Sequence, residues 1–304
     1  MSALRPEEGA VFDFSGRTML RIAGLDRVRF LNGQVTNDVR KAAAERALRA
    51  CVLSAKGRID ADIFLVVEGE SFIVDTEPGT GETLAARLDR YIIADDVQVE
   101  DVSDRFALFH VLGPNVPVID GSRAVRATRF GIEGTDLWLQ RPDYASAVAE
   151  LSTQLSFCDE ACAEVFRIER GIPRAGRELT DEIIPTEAGL EASAIDYAKG
   201  CYIGQEVISR IKMSGQTNKR LCGLMAHGER SLLEAGMRLF IGADAKDVGW
   251  ITSVATSSRL GKTIALGFVK RGSQAVGTEL TARAANGGSQ TDASQVEIVE
   301  LPFI

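Results

Sequence analysis

Apolar residues dominate two stretches, Ala47–Leu53 and Ile59–Val67, joined by the turn S-A-K-G at Ser54–Gly57, and this pattern predicts a β-hairpin. Along the second strand the two-residue period separates the faces. Ile59, Ala61, Ile63, Leu65 and Val67 form one wholly apolar face. Arg58, Asp60, Asp62, Phe64 and Val66 form the other, charged at its start and apolar at its end. A solvent face would stay polar throughout, so this one is either the floor of a cleft or a hairpin tip emerging from cover. Arg17–Ala23, Phe72–Asp75, Val97–Val102 and Phe106–Leu112 read as further strands. Asp26 is placed to cap a helix carrying Val28, Phe30 and Leu31, and Leu84, Leu88 and Tyr91 mark a second amphipathic helix. Val125–Phe130 and Thr135–Gln140 form a hairpin across G-I-E-G. A helix with Tyr144, Val148 and Leu151 on one face follows.

The next helix carries a carboxylate in its apolar stripe. Cys158, Cys162, Val165 and Glu169 fall at helical spacing beside Ala161 and Phe166, and Gly171 and Pro173 mark the end. Glu169 should therefore point inward, where a carboxylate is costly unless something hydrogen-bonds to it. The partner is either structural, Arg167 or Arg170, or a ligand with paired donors. Cys158 and Cys162 read as small buried hydrophobes rather than metal ligands, because His110 and His227 are isolated and no acidic ligand set accompanies them. No metal site is expected. From Arg220 onward the character changes. Leu221–Ala226, Val248–Val254, Thr263–Val269, Glu279–Ala284 and Val296–Leu301 are short strands with Gly-rich or polar connections, the spacing of a small antiparallel barrel. The tract A-A-N-G-G-S-Q-T-D-A-S reads as a surface loop.

A densely punctuated stretch, Glu191–Arg220, contains K-G-C-Y-I-G-Q-E at Lys199–Glu206. Glycines 200 and 204 bracket Cys201, and a helix starting after Gly204 would bring its N–H groups and positive dipole end near the sulfur. With Lys199 adjacent, both effects favour a thiolate, so Cys201 is a candidate reactive thiol. A small side chain buried in a tight turn is the competing reading.

Composition narrows the classes. At 304 residues, 45% hydrophobic and 26% charged, the chain has room for two or three modules and an ordinary core. A net charge of -8 argues against a nucleic-acid grip built on bulk positive charge, so no tight nucleic-acid binding is expected. No apolar run approaches bilayer length and the start lacks a signal peptide's apolar region; the expectation is a cytoplasmic protein without membrane contact. Five scattered cysteines suit free thiols in a reducing compartment.

K-G-C-Y-I-G-Q-E resembles the signature of the YgfZ family, folate-binding relatives of the glycine-cleavage T-protein that support iron–sulfur proteins and tRNA modification. F-L-N-G-Q-V-T-N-D-V (Phe30–Val39), G-R-I-D-A-D (Gly57–Asp62), R-I-E-R-G-I-P (Arg167–Pro173) and I-P-T-E-A-G-L (Ile184–Leu190) extend the resemblance to T-proteins. It implies an α+β fold: a T-protein-like folate-binding portion over residues 1–219, with an inserted subdomain at about 46–115, and a C-terminal antiparallel β-barrel over 220–304. It further implies tetrahydrofolate or another folate as cofactor, with Glu169 holding the pterin, Asp62 beside its reactive nitrogens and Cys201 supplying a thiol. Iron–sulfur enzymes or cluster-assembly proteins are the implied transient partners. The Cys-Tyr pair departs from true T-proteins. The implied function is an accessory role in cluster assembly or repair. The alternatives are a tetrahydrofolate-dependent aminomethyltransferase, with Asp62 orienting the acceptor nitrogen, and a plain binding module whose Cys201 is structural.

Overall fold

The structure, a computed structural model, describes residue 5 and residues 9–228, 232–242, 246–285 and 293–304. The chain divides into two compact units: Ser2–Asp159 with Glu191–Ser209, and Glu160–Leu190 with Arg210–Ile304. Most of the surface loop expected at 284–294 lies outside the described residues.

The first unit is built from β1 (Ala10–Asp13), β2 (Thr18–Ala23), α1 (Arg27–Gln34), β3 (Leu48–Leu53), β4 (Ile59–Glu68), β5 (Ser71–Thr76), α2 (Gly81–Asp89), β6 (Gln98–Asp101), β7 (Phe106–Leu112), β8 (Arg123–Ala127), β9 (Gly134–Gln140), α3 (Tyr144–Gln154) and β10 (Ser156–Cys158). An antiparallel sheet of order β3-β4-β5-β2-β6 stacks on one of order β10-β1-β7-β9-β8, in which only the β1–β10 pair is parallel. The alternation read from the sequence explains the layers. Ala61, Ile63 and Leu65 of β4 pack with Phe30 and Leu31 of α1 and Leu84 and Leu88 of α2. Val66, on the opposite face, packs with Met19, Ile73, Phe106, Leu108, Val125 and Trp138 between the two sheets. Phe109, Val111, Leu137 and Leu139 then cover Ala147 and Leu151 of α3. The mixed face of β4 is thus neither wholly a cleft floor nor a free hairpin tip: its apolar end belongs to the core between the sheets, a layer that no local pattern announces.

The second unit contains α4 (Glu160–Glu169) and a closed antiparallel barrel of β11 (Lys219–Ala226), β12 (Arg238–Ile241), β13 (Lys246–Ser257), β14 (Lys262–Lys270), β15 (Glu279–Arg283) and β16 (Ser294–Val299), in the order β11-β14-β13-β12-β15-β16. Leu224, Leu239, Val248, Ile251, Leu280, Val296 and Ile298 fill its interior. β12, four residues long, was not legible in the hydrophobic pattern, yet it closes the barrel between β13 and β15. Two short helices lie between these parts in sequence, α5 (Glu191–Ala194) and α6 (Gln205–Ser214). No helix among the described residues is long and apolar enough to cross a membrane.

Candidate functional site

In the first unit the segments singled out from the sequence converge. The C-terminal turn of α1 leaves backbone carbonyls without helical partners. The buried Lys199 ammonium satisfies this turn, donating to Asn32 O at 2.7 Å, Val35 O at 2.6 Å and Asn37 O at 2.8 Å, which uses all three of its protons. Its Nζ also sits 5.0 Å from the centre of the Tyr202 ring. Burial pushes this lysine down to about 8, against the pull of Asp38 and Asp196. Ile203 N donates to Gly33 O, Asp196 N to Thr36 O, and Thr36 Oγ1 to Ala194 O at 2.6 Å. The Lys-Gly-Cys-Tyr loop is thereby fixed to the segment Phe30–Val39.

Cys201 is exposed on this loop and α6 begins at Gln205. All three Lys199 protons serve backbone carbonyls, so among the described residues it makes no hydrogen bond to the Cys201 sulfur. The two glycines also differ. Gly204 has φ +83° and a Cβ there would stand 2.7 Å from Ser54 O, whereas Gly200 faces open space and has no positive φ.

Asp62 lies opposite Cys51 in the β3–β4 register. Its carboxylate is held by the Arg49 fork, Nε to Oδ1 at 3.0 Å and an Nη to Oδ2 at 2.7 Å. Burial works against the Arg49 charge, and Asp62 more than restores it. The guanidinium lies 5.4 Å from the centre of the Phe64 ring, with that of Arg129 4.7 Å from the same ring. Thr36 ties this strand to the Cys201 loop, since its N donates to Cys51 O and its hydroxyl accepts from Cys51 N. Asn37 Nδ2 donates to Arg49 O.

In the second unit Glu169, at the end of α4, is 3% exposed. Ser257 Oγ, at the end of β13, donates to Glu169 Oε1 at 2.5 Å and itself accepts from Leu260 N at 3.1 Å. The arginines proposed as partners go elsewhere. Arg167 pairs with Glu164 and Glu178 and donates to Ser253 Oγ, and Arg170 donates to Ile304 O. No ion pair to Glu169 occurs among the described residues.

Residues 3–119 match the family described as GCVT N-terminal domain, and residues 219–304 the one described as glycine cleavage T-protein C-terminal barrel domain. The chain carries both domains of the T-protein superfamily. The fold agrees: the crystal structure of the glycine cleavage system aminomethyltransferase T from Bartonella henselae superposes with a TM-score of 0.83 over 97% of this chain and 86% of that one, at 18% identity. An aminomethyltransferase of Corynebacterium jeikeium is 24% identical over 96% of this chain and 87% of its own length. The tRNA-modifying protein YgfZ of Aliivibrio fischeri is 26% identical over 71% and 70%.

Other expectations for this T-protein-like chain are corrected by its structure. Cys158 ends β10 instead of continuing α4, and Cys158 and Cys162 are disulfide-bonded; Cys51, Cys201 and Cys222 are free. The histidines are not isolated. His110 Nδ1 lies 2.7 Å from Asp136, and His227 Nε2 lies 3.1 Å from Glu279, with Glu297 completing a largely exposed group on the barrel. Sequence reasoning also missed Arg49 and Ser257. The first had a signal, a lone charge in an otherwise apolar strand that a predicted hairpin pairs with the strand of Asp62. Ser257, 88 residues from Glu169, had none.

Proposed function

We propose that this chain is a cytoplasmic, folate-binding accessory protein acting in iron–sulfur cluster assembly or repair and thereby in tRNA modification, after the manner of YgfZ. The observation that carries the reading is an exposed Cys201 on a loop pinned by Lys199. An exposed thiol on a fixed loop is available to a client. In this reading residues 1–219 serve folate binding and the barrel follows from 220.

A reduced folate fits the residues present. Glu169 is a buried acceptor with one oxygen engaged by a neutral hydroxyl, and a pterin offers a ring N–H and a 2-amino group as adjacent donors. When bound, the folate supplies nitrogens that carry one-carbon units. Of the chain's own residues Glu169 would hold the pterin; the role of Asp62 at the reactive nitrogens is what the resemblance to T-proteins implies.

The second reading, a tetrahydrofolate-dependent aminomethyltransferase, is favoured by the named relatives and their coverage of nearly the whole chain. It gives Asp62, still paired with Arg49, the task of orienting the acceptor nitrogen. Dihydrolipoyl-protein-dependent release of ammonia from an aminomethyl adduct would mark it.

The test uses cells lacking the protein. Wild type should restore the activities of cluster-dependent enzymes, whereas Cys201→Ser should fail to do so while folding normally and keeping its folate affinity. Full restoration by Cys201→Ser removes the case for the thiol and leaves the transferase or plain binding reading.

A further inference from the structure

Glu169 presents an energetic problem that its own unit does not solve. A carboxylate 3% exposed is stable only if hydrogen bonds or a cation replace the lost water. Ion pairing is absent among the described residues, and Arg167, on the same helix, is spent on Glu164, Glu178 and Ser253. One neutral donor remains, the Ser257 hydroxyl, at 2.5 Å from Oε1. Ser257 is fully buried, and its oxygen accepts from Leu260 N at 3.1 Å. A hydroxyl has one proton. Because the backbone N–H of Leu260 occupies the acceptor side, that proton points at Glu169, and Oε1 must act as an acceptor. No hydrogen bond to Oε2 is formed among the described residues.

We infer that Ser257 is a positioning residue: it fixes the rotation of the Glu169 carboxylate and keeps both of its oxygens as acceptors, so that they meet a ligand edge bearing two adjacent N–H donors. This inference rests on the folate reading above and specifies which side chain makes Glu169 selective for the pterin edge. A carboxylate can accept two hydrogen bonds per oxygen, so Oε1 serves Ser257 and the ligand together while Oε2 is left for the second donor. Without the hydroxyl, the carboxylate turns more freely and its presentation to a paired edge is less defined.

The experiment is titration calorimetry of the full chain with 5-formyltetrahydrofolate and with a 2-desamino-2-methyl folate analogue, which lacks one donor of the pair. Ser257→Ala should weaken binding of the natural folate about tenfold, the scale of one hydrogen bond to a charged group. It should weaken the analogue less, so that discrimination narrows. Ser257→Thr, which keeps the hydroxyl, should bind as wild type. Ser257→Ala added to Glu169→Gln should cost nothing further. If Ser257→Ala does not fold, Ser257→Cys, similar in size with a weaker donor, takes its place and should show the same narrowing. Wild-type affinity and discrimination in Ser257→Ala, or losses that add fully to those of Glu169→Gln, overturn the inference while leaving folate binding intact. A wild-type chain that binds neither folate overturns both readings.

Discussion

At the scale of the residue, the three free thiols sit in different surroundings. Cys201 is exposed, whereas burial pushes the Cys222 thiol up to about 11 and raises Cys51 further, with Asp62 opposite adding to the effect. Alkylation needs both a thiolate and access. In the native protein at neutral pH, iodoacetamide should therefore label Cys201 at least about tenfold faster than Cys51 or Cys222. Cys158 and Cys162, being disulfide-bonded, should label only after reduction. Peptide mass spectrometry over a time course reads this directly, and comparable rates for Cys201 and Cys51 would contradict the loop geometry. Asp62 teaches a different lesson, because its chemistry is set by a neighbour: the Arg49 fork decides that it is half of an ion pair before any ligand arrives.

At the scale of the element, the loop between α5 and α6 derives its shape from two unlike contacts. Lys199 supplies the donors that the end of α1 lacks, and Gly204 lets the chain turn against Ser54 where any side chain would collide. The sequence presents glycines 200 and 204 as a symmetrical bracket around Cys201, but only one of them is demanded by the backbone. Gly204→Ala should destabilise the protein by about 2 kcal/mol or more, from positive φ and overlap with a backbone oxygen. Gly200→Ala, in open space, should change stability by less than about 0.5 kcal/mol. Chemical denaturation of the two variants makes the comparison, and equal effects would show that the bracket is symmetrical after all.

At the scale of the molecule, the first unit buries a charged network between its two sheets. The Arg129 guanidinium bridges Asp75 and Asp136, Arg17 also reaches Asp75, and Asp136 holds His110, which is fully buried. Burial alone would raise Asp136, but Arg129 and His110 hold it down to about 2. Burial lowers His110 below its ordinary 6.5 despite the pull of Asp136, so the native imidazole stays neutral where the unfolded one protonates. Below pH 6.5 the unfolded chain then binds a proton that the native chain does not, and stability falls as pH falls, by up to about 1.4 kcal/mol per pH unit until the native imidazole also protonates. Between pH 7 and pH 5.5, His110→Gln should lose less stability than wild type when both are unfolded in urea. An identical loss would remove His110 from the acid response.

The sequence by itself determined what depends on near neighbours. The strand alternation of Ile59–Val67, the stop of α4 before Gly171, the barrel character after Arg220 and the motifs that mark Asp62, Glu169 and Cys201 were all legible, because period, turn chemistry and motif are local. Tertiary structure alone decided which partner closes on each group. Arg49 takes the Asp62 carboxylate, Ser257 takes Glu169 from 88 residues away, and Lys199 reaches carbonyls more than 160 positions earlier. The second core between the sheets, with its buried His110 and Arg129, belongs to the same class. The physical reason is that a buried polar group must be satisfied by whatever donor the packed fold brings within about 3 Å. That choice is made by the stacking of sheets and the closure of a barrel, which no run of adjacent residues encodes.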